Sequence, residues 1–171
     1  MAGESICSLV EGRVRDWHGL QPFAMDDAPS CVGEQTANDW LKFKRDYAWY
    51  RIFRRSSEGP EVWLFSFDGK NVALVELFGL PASFAPEATL SVLGQPELIA
   101  DYPGAAQLQR PLRQPGEELR ESIYGERGLA LLLGYTPDKP VRTVRLRGFE
   151  SMPAQEYYES FVELPEIEIP V

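Results

Sequence analysis

The sequence predicts an α+β fold. Two tandem units, each a helix followed by an antiparallel meander, join their strands in one curved antiparallel sheet with the helices on one face. Three observations lead there. First, a phrase recurs about sixty residues apart: Val14-Arg15-Asp16-Trp17-His18-Gly19-Leu20 and Leu74-Val75-Glu76-Leu77-Phe78-Gly79-Leu80. Each copy is followed by Phe-Ala (Phe23-Ala24, Phe84-Ala85) and, ten residues after the Phe, by a closing glycine, Gly33 or Gly94. A looser third copy runs from Val144 through Gly148-Phe149 into Pro153-Ala154. Self-similarity at a long period points to a duplicated supersecondary unit. Second, short aromatic and β-branched runs alternate with turn residues, as paired strands do. Third, the segments ahead of Gly33 and Gly94 carry the start and stop signals of short helices.

Taken in order, residues 6–17 read as a first strand. Pro22 or a neighbour then opens a short helix that stops at Val32-Gly33. Asp46 to Arg55 is rich in Tyr, Trp, Ile and Phe and reads as a strand. Ser56 to Pro60 is a turn, Glu61 to Phe67 a strand, Asp68-Gly69 a two-residue hairpin signal, and Lys70 to Phe78 the returning strand. Gly79 turns the chain, Ser83 is placed to cap, and a helix runs from about Phe84 to Leu93 with Pro86 in its first turn. Residues 95–118, punctuated by Pro96, Pro103, Gly104, Pro111, Pro115 and Gly116, are the least regular stretch.

Ser122 to Tyr124, Gly128 to Tyr135 and Val141 to Arg147 form the second meander, with a turn at 136–140. Ser151 to Phe161 reads as a helix with a serine cap and an early proline. The last ten residues alternate acidic and apolar side chains, and Pro165 and Pro170 make them an edge strand or a tail. The expected organisation is a single domain over 1–171. Its repeat units are at about 18–80 and 81–148, and a C-terminal helix and acidic tail occupy 149–171. Strand order stays open, because the first strand pairs with either half.

A chain of 171 residues with 44% hydrophobic and 25% charged residues is long and apolar enough to bury a core. No apolar run approaches bilayer length. Met1-Ala2-Gly3-Glu4-Ser5-Ile6 lacks the basic and apolar regions of a secretory signal, so the expectation is a cytoplasmic protein without a membrane partner. Net charge is −9, from 26 acidic and 17 basic residues. That balance disfavours nucleic acid and anionic lipid, which are gripped by clustered Lys and Arg, and favours a basic protein partner. Cys7 and Cys31 make neither a metal quartet nor a redox pair. Cys31 aligns with Val92 of the second copy, so a buried thiol is the default and a disulfide to Cys7 the alternative.

Catalytic sets are thin. His18 is the only histidine, and its place before Gly19 matches Phe78 in the second copy, a structural position. One His, two separated Cys and no HExxH leave too few metal ligands, and no phosphate-cradling glycine motif occurs. The carboxylate pairs Asp26-Asp27, Glu117-Glu118 and Glu156 with Glu159 are explained by helix-terminal or solvated roles. No catalytic residue, metal or cofactor is therefore expected.

The aromatic residues carry the positive signal. Trp40, Phe43, Tyr47, Trp49, Tyr50, Phe53, Trp63, Phe65 and Phe67 fall within twenty-eight residues. Alternation puts Tyr47, Trp49, Arg51 and Phe53 on one face of their strand, and Trp63, Phe65 and Phe67 on one face of the next. Trp, Tyr and Arg are the side chains that dominate interface hot spots. Charge is uneven as well. Arg142, Arg145 and Arg147 stud one late strand, while the charged residues that follow Arg147, among them Glu156, Glu159 and Glu163, are all acidic. That acidic end either pairs with the molecule's own basic strands or steers a cationic partner.

With its helix ending at Gly33 or Gly94 and hairpins such as Phe67-Asp68-Gly69-Lys70, the plan resembles the tandem-repeat inhibitors of the β-lactamase inhibitory protein type. It is similar also to the related small outer-membrane assembly lipoproteins. The resemblance implies a protein-binding sheet. The functional expectation is a non-catalytic binding module, an immunity or inhibitor protein, using Tyr47, Trp49, Arg51, Phe53, Trp63 and Phe65 with Glu156, Glu159 and Glu163. The alternative is a small-ligand binder or enzyme with a carboxylate and Arg or Tyr pocket between sheet and helices, involving residues such as Tyr124 and Arg127. A homo-oligomer that covers the aromatic face with its own copy is the third reading.

Overall fold

The computed structural model describes residues 6–9, 11–24, 27, 41–42, 49–54, 61–68, 70–80, 82–101 and 114–162, with backbone alone at 41–42 and 49–54. Among the described residues, eight strands form one sheet: β1 (Leu41–Lys42), β2 (Trp49–Arg54), β3 (Glu61–Ser66), β4 (Leu74–Phe78), β5 (Leu98–Asp101), β6 (Glu118–Tyr124), β7 (Leu129–Tyr135) and β8 (Pro140–Phe149). Their order is β1-β2-β3-β4-β8-β7-β6-β5, and every pairing is antiparallel. Two four-stranded meanders therefore meet through their last strands, Val75 opposite Gly148 and Leu77 opposite Leu146. Helical turns add α1 (residues 6–9), α2 (Pro86–Leu93) and α3 (Ala154–Tyr157), which continues as a π-helical turn, Tyr158–Val162. The architecture is α+β.

The β3–β4 connection follows from Asp68. Its carboxylate accepts hydrogen bonds from the backbone N–H groups of Lys70 and Asn71 and from the Ser66 hydroxyl. Those donors, the two backbone N–H groups first, hold its carboxyl well below the usual carboxylate range. At the end of β4, Gly79 adopts φ 67°, a left-handed conformation that costs glycine little.

Strand alternation sorts the core into two sides. Val62, Leu64, Val75, Leu77, Leu129, Leu131, Leu133 and Leu146 pack with Ile6 and Leu9 of α1, Trp17, Phe84 and Leu93 of α2. The opposite positions Phe65, Leu74, Ile123, Ala130 and Phe149 pack with Ala154, Tyr157, Phe161 and Val162. Helices thus cover both faces, where the sequence reading put them on one. The reason is that β4, β7 and the second half of β8 are buried at every position, so neither side of the sheet's centre faces water.

Several local expectations change. Residues 6–9 are helical and Val14–Asp16 is a 3-10 turn, so the expected strand over 6–17 is absent. Ile6 and Leu9, three residues apart, share one face of a helical turn, whereas an alternating strand would send them to opposite faces. The phrase around Gly19 is consequently irregular where its counterpart at Leu74–Phe78 is a strand. Trp17 sits over Gly148 of β8 instead, completely buried, with its indole N–H donated to the Gly128 carbonyl at 3.0 Å.

Residues 20–23 are irregular and Ala24 bridges Asn71, against a helix opening at Pro22. Asp27 is not helical either, and the rest of that expected helix lies outside the described residues. Neither Ser83 nor Ser151 caps a helix: α2 and α3 begin after Ala85 and Pro153 with no side-chain cap bond. Ser151 Oγ is donated to the Glu126 carbonyl instead, at 2.7 Å. Leu98–Asp101, inside the stretch read as irregular, is a strand paired with β6. Cys7 is disulfide-bonded, against the default of a free thiol, and the sequence holds one other cysteine, Cys31, which lies outside the described residues.

Candidate partner-binding face and the ion-pair layer beneath it

The register of β2 on β3 decides how the aromatic residues are distributed. Trp49, Arg51 and Phe53 stand opposite Ser66, Leu64 and Val62, whereas Tyr50 and Ile52 stand opposite Phe65 and Trp63. Directly paired residues in an antiparallel sheet belong to the same face. The positions of Trp49, Arg51 and Phe53 therefore fall on the α1–α2 side, and Trp63 and Phe65 on the α3 side. The expected single aromatic face is divided between the two sides of the sheet. Tyr47 and Glu163 lie outside the described residues.

Phe65 is 1% exposed, lying edge-on to Phe67 and Phe161, so it is core and not contact surface. The C-terminal helix covers it, which strand periodicity alone does not reveal. Trp63 is half-buried. Its ring packs edge-on against Phe78 at 6.0 Å, and its indole N–H is donated to the Glu61 carboxylate. Glu156 and Glu159 are exposed on α3 and on the π turn that continues it, and His18 is exposed in the irregular segment after Trp17.

Beneath α3 the sheet carries charge. On β8 the residues Arg142, Arg145 and Arg147 meet three glutamates. Arg147 Nη2 lies 2.7 Å from Glu76 Oε1, its cross-strand neighbour on β4. Arg145 Nη2 lies 2.8 Å from Glu121 Oε2. Arg142 forms a two-pronged pair with Glu117, its Nε donating to Oε2 and its Nη2 to Oε1. Tyr157 links the inner two pairs: Arg147 Nη1 donates to its hydroxyl, and the hydroxyl donates to Glu121 Oε1 at 2.9 Å. Arg147 Nη1 also donates to the Phe161 carbonyl at 3.3 Å, fastening the π turn to the sheet.

Burial pushes the Tyr157 phenol far above its ordinary value, so it remains a donor. Glu76, Glu121, Arg145 and Tyr157 are all at most 2% exposed, and this layer is occupied by its own side chains. Of the alternative pocket residues, Tyr124 donates its hydroxyl to the Gly94 carbonyl at 2.8 Å, and burial pushes its phenol up to about 12.

The sequence reading noted the arginines but not their partners. The available signal was a glutamate inside an apolar strand, Val75-Glu76-Leu77, which a buried arginine must answer; Glu121, between Arg120 and Ser122, carries no such signal. Among the described residues no group of His, Cys, Asp and Glu is placed to hold a metal, and no helix is long and apolar enough to cross a membrane.

No family model and no curated protein matches the chain. Among solved structures it is similar to a DUF4309 family protein, YjgB, from Bacillus subtilis. The two share 12% sequence identity at a TM-score of 0.45, over 85% of this chain and 99% of that one.

Proposed function

We propose that the chain is a non-catalytic protein-binding module of the inhibitor or immunity kind. It meets a basic partner with the sheet face that bears Trp63 and the exposed glutamates of the C-terminal helix. One juxtaposition supports the reading. Trp63 packs against the cluster built by α3, so a half-buried indole and the helix carrying Glu156 and Glu159 share one face. Tryptophan is a common interface anchor, and carboxylates at its margin speed encounter with a cationic surface. The arginines of β8 are engaged by Glu76, Glu117 and Glu121, so they leave that acidity unneutralised. Phe65 and the positions of Trp49, Arg51 and Phe53 are not part of this surface. A disulfide such as that of Cys7 persists where thiols stay oxidised, so the reading does not rest on a cytoplasmic location.

The experiment is capture of partners from the native host's lysate by the tagged chain, at low and moderate salt, with Trp63→Ala and a Glu156→Gln/Glu159→Gln double variant alongside. The expected result is one stoichiometric basic protein, bound about tenfold more weakly by Trp63→Ala. The double variant should retain that protein with a flatter salt dependence. Equal capture by a folded Trp63→Ala chain rejects this surface. A chain that sediments as a dimer through the same face replaces the inhibitor reading with the homo-oligomer.

A further inference from the structure

A groove opens where the β3–β4 turn, the segment before β4 and the start of the C-terminal helix converge. One wall is zipped in place by backbone contacts: Val72 N–H donates to the Phe23 carbonyl at 2.8 Å, and Ala24 bridges Asn71. Leu20, Pro22, Val72 and Ala73 line that side, and Phe67, Met152 and Phe161 the other. The volume is about 240 Å³, below the roughly 300–1,000 Å³ of small-molecule sites and suited to a single side chain. Phe67 at its mouth is 41% exposed, the sort of apolar surface a ligand would cover.

The polar lining has one sign. Asp68 and Glu150 are carboxylates, Asn71 is an amide, and no described lining residue is a lysine or arginine. Asp68 is held ionised by the turn that it organises. Glu150 is exposed, and the whole chain is acidic at −9.

We infer that this groove is a recognition pocket for a lysine side chain presented by a peptide or protein. The apolar walls would take the four-carbon stem, and Asp68 and Glu150 at the rim would take the ammonium. An open groove with apolar walls and two exposed carboxylates in its lining matches a side chain that lays its stem on apolar surface and keeps its charged head near water. The inference stands apart from the Trp63 face, and holds or fails whether or not that face binds a partner.

The probe is the peptide acetyl-Leu-Lys-Leu-amide, titrated into the isotope-labelled chain and read by NMR at the Met152 methyl and at the Val72 and Ala73 amides. Acetyl-Leu-norleucine-Leu-amide, with the same stem and no charge, and the glutamate analogue are controls. Expected are saturable shifts at those three reporters with the lysine peptide, and affinity about fivefold weaker for Glu150→Gln or for the norleucine peptide. Glu150 is exposed, so that variant keeps the fold, and Asp68 is left intact because it builds the turn. Equal binding of the norleucine peptide, or an unchanged affinity in Glu150→Gln, overturns the inference, as does the absence of shifts at millimolar peptide.

Discussion

The two faces of the sheet reach burial by different chemistry. On the α1–α2 side the strands present leucines and valines to Ile6, Leu9, Trp17 and Leu93, and close packing suffices. On the α3 side the same strands present Glu76, Glu121, Arg145 and Arg147 beneath Tyr157. The first side depends on shape and tolerates exchange of one apolar residue for another of like volume. The second depends on complete pairing, because each charge is stable there only while its partner remains. The ionic side thus fixes how α3 sits, since Tyr157 and the Phe161 carbonyl are members of the network and not only neighbours of it.

The widest contrast is expected from Arg145→Met. It leaves the Glu121 carboxylate buried with Tyr157 alone, and urea denaturation should show a loss of about 3–5 kcal/mol. The double variant Glu121→Met/Arg145→Met removes both charges and should lose far less than the single one. If the single variant costs under about 1 kcal/mol, the pair is not buried in solution and the two faces do not differ in kind.

How much of this was legible in the sequence follows the range of the forces. The two strands on either side of Asp68 are written locally, in turn chemistry and alternation, and both appear. Phe65 pairs with Leu74, however, so the connection that Asp68 organises is longer than the two-residue hairpin expected. The residues before Gly19 share apolar spacing with β4 but not its partners. Trp17 needs Gly148, 131 positions away, to lie on the sheet, and nothing near Trp17 announces that. The candidate surface fared alike. That Trp49 and Trp63 take opposite sides depends on a register set between strands, and a slip of one residue would reverse it. Phe65 became core because a helix ninety residues later covers it.

On the apolar side the sharper probe is Gly148→Ala. A methyl there would come 2.4 Å from Trp17 Cζ2 and 3.2 Å from Leu9 Cδ1, so the indole must move off the sheet. Displacing it also stretches its hydrogen bond to Gly128. Overpacking of this kind costs about 1–3 kcal/mol, to be read as a lower denaturation midpoint. An unchanged midpoint means that Trp17 is not seated over Gly148, and the apolar face loses its distinguishing contact.

The smallest effect belongs to the margin of the ionic side, where Arg142 is 32% exposed while its partner Glu117 is 3% exposed. Hydrogen bonds from Arg142, ahead of the opposing effect of burial, hold the Glu117 carboxyl below its ordinary 4.5. A carboxylate with a depressed folded-state pKa contributes stability that is fully present above its unfolded value. That contribution fades as pH falls through the folded one. Glu117→Gln should therefore cost about 1 kcal/mol at pH 7, with solvent screening of Arg142 keeping the figure low. The gap to the parent chain should begin to close below about pH 4.5 and keep shrinking as the pH falls through the depressed folded-state value. A gap that stays constant across that range would assign Glu117 a packing role over Gly134, whose absent side chain leaves it room, and not an ionic one. A gap as large as that of Arg145→Met would instead make all three arginine pairs equivalent, and the distinction between buried and marginal charge would disappear.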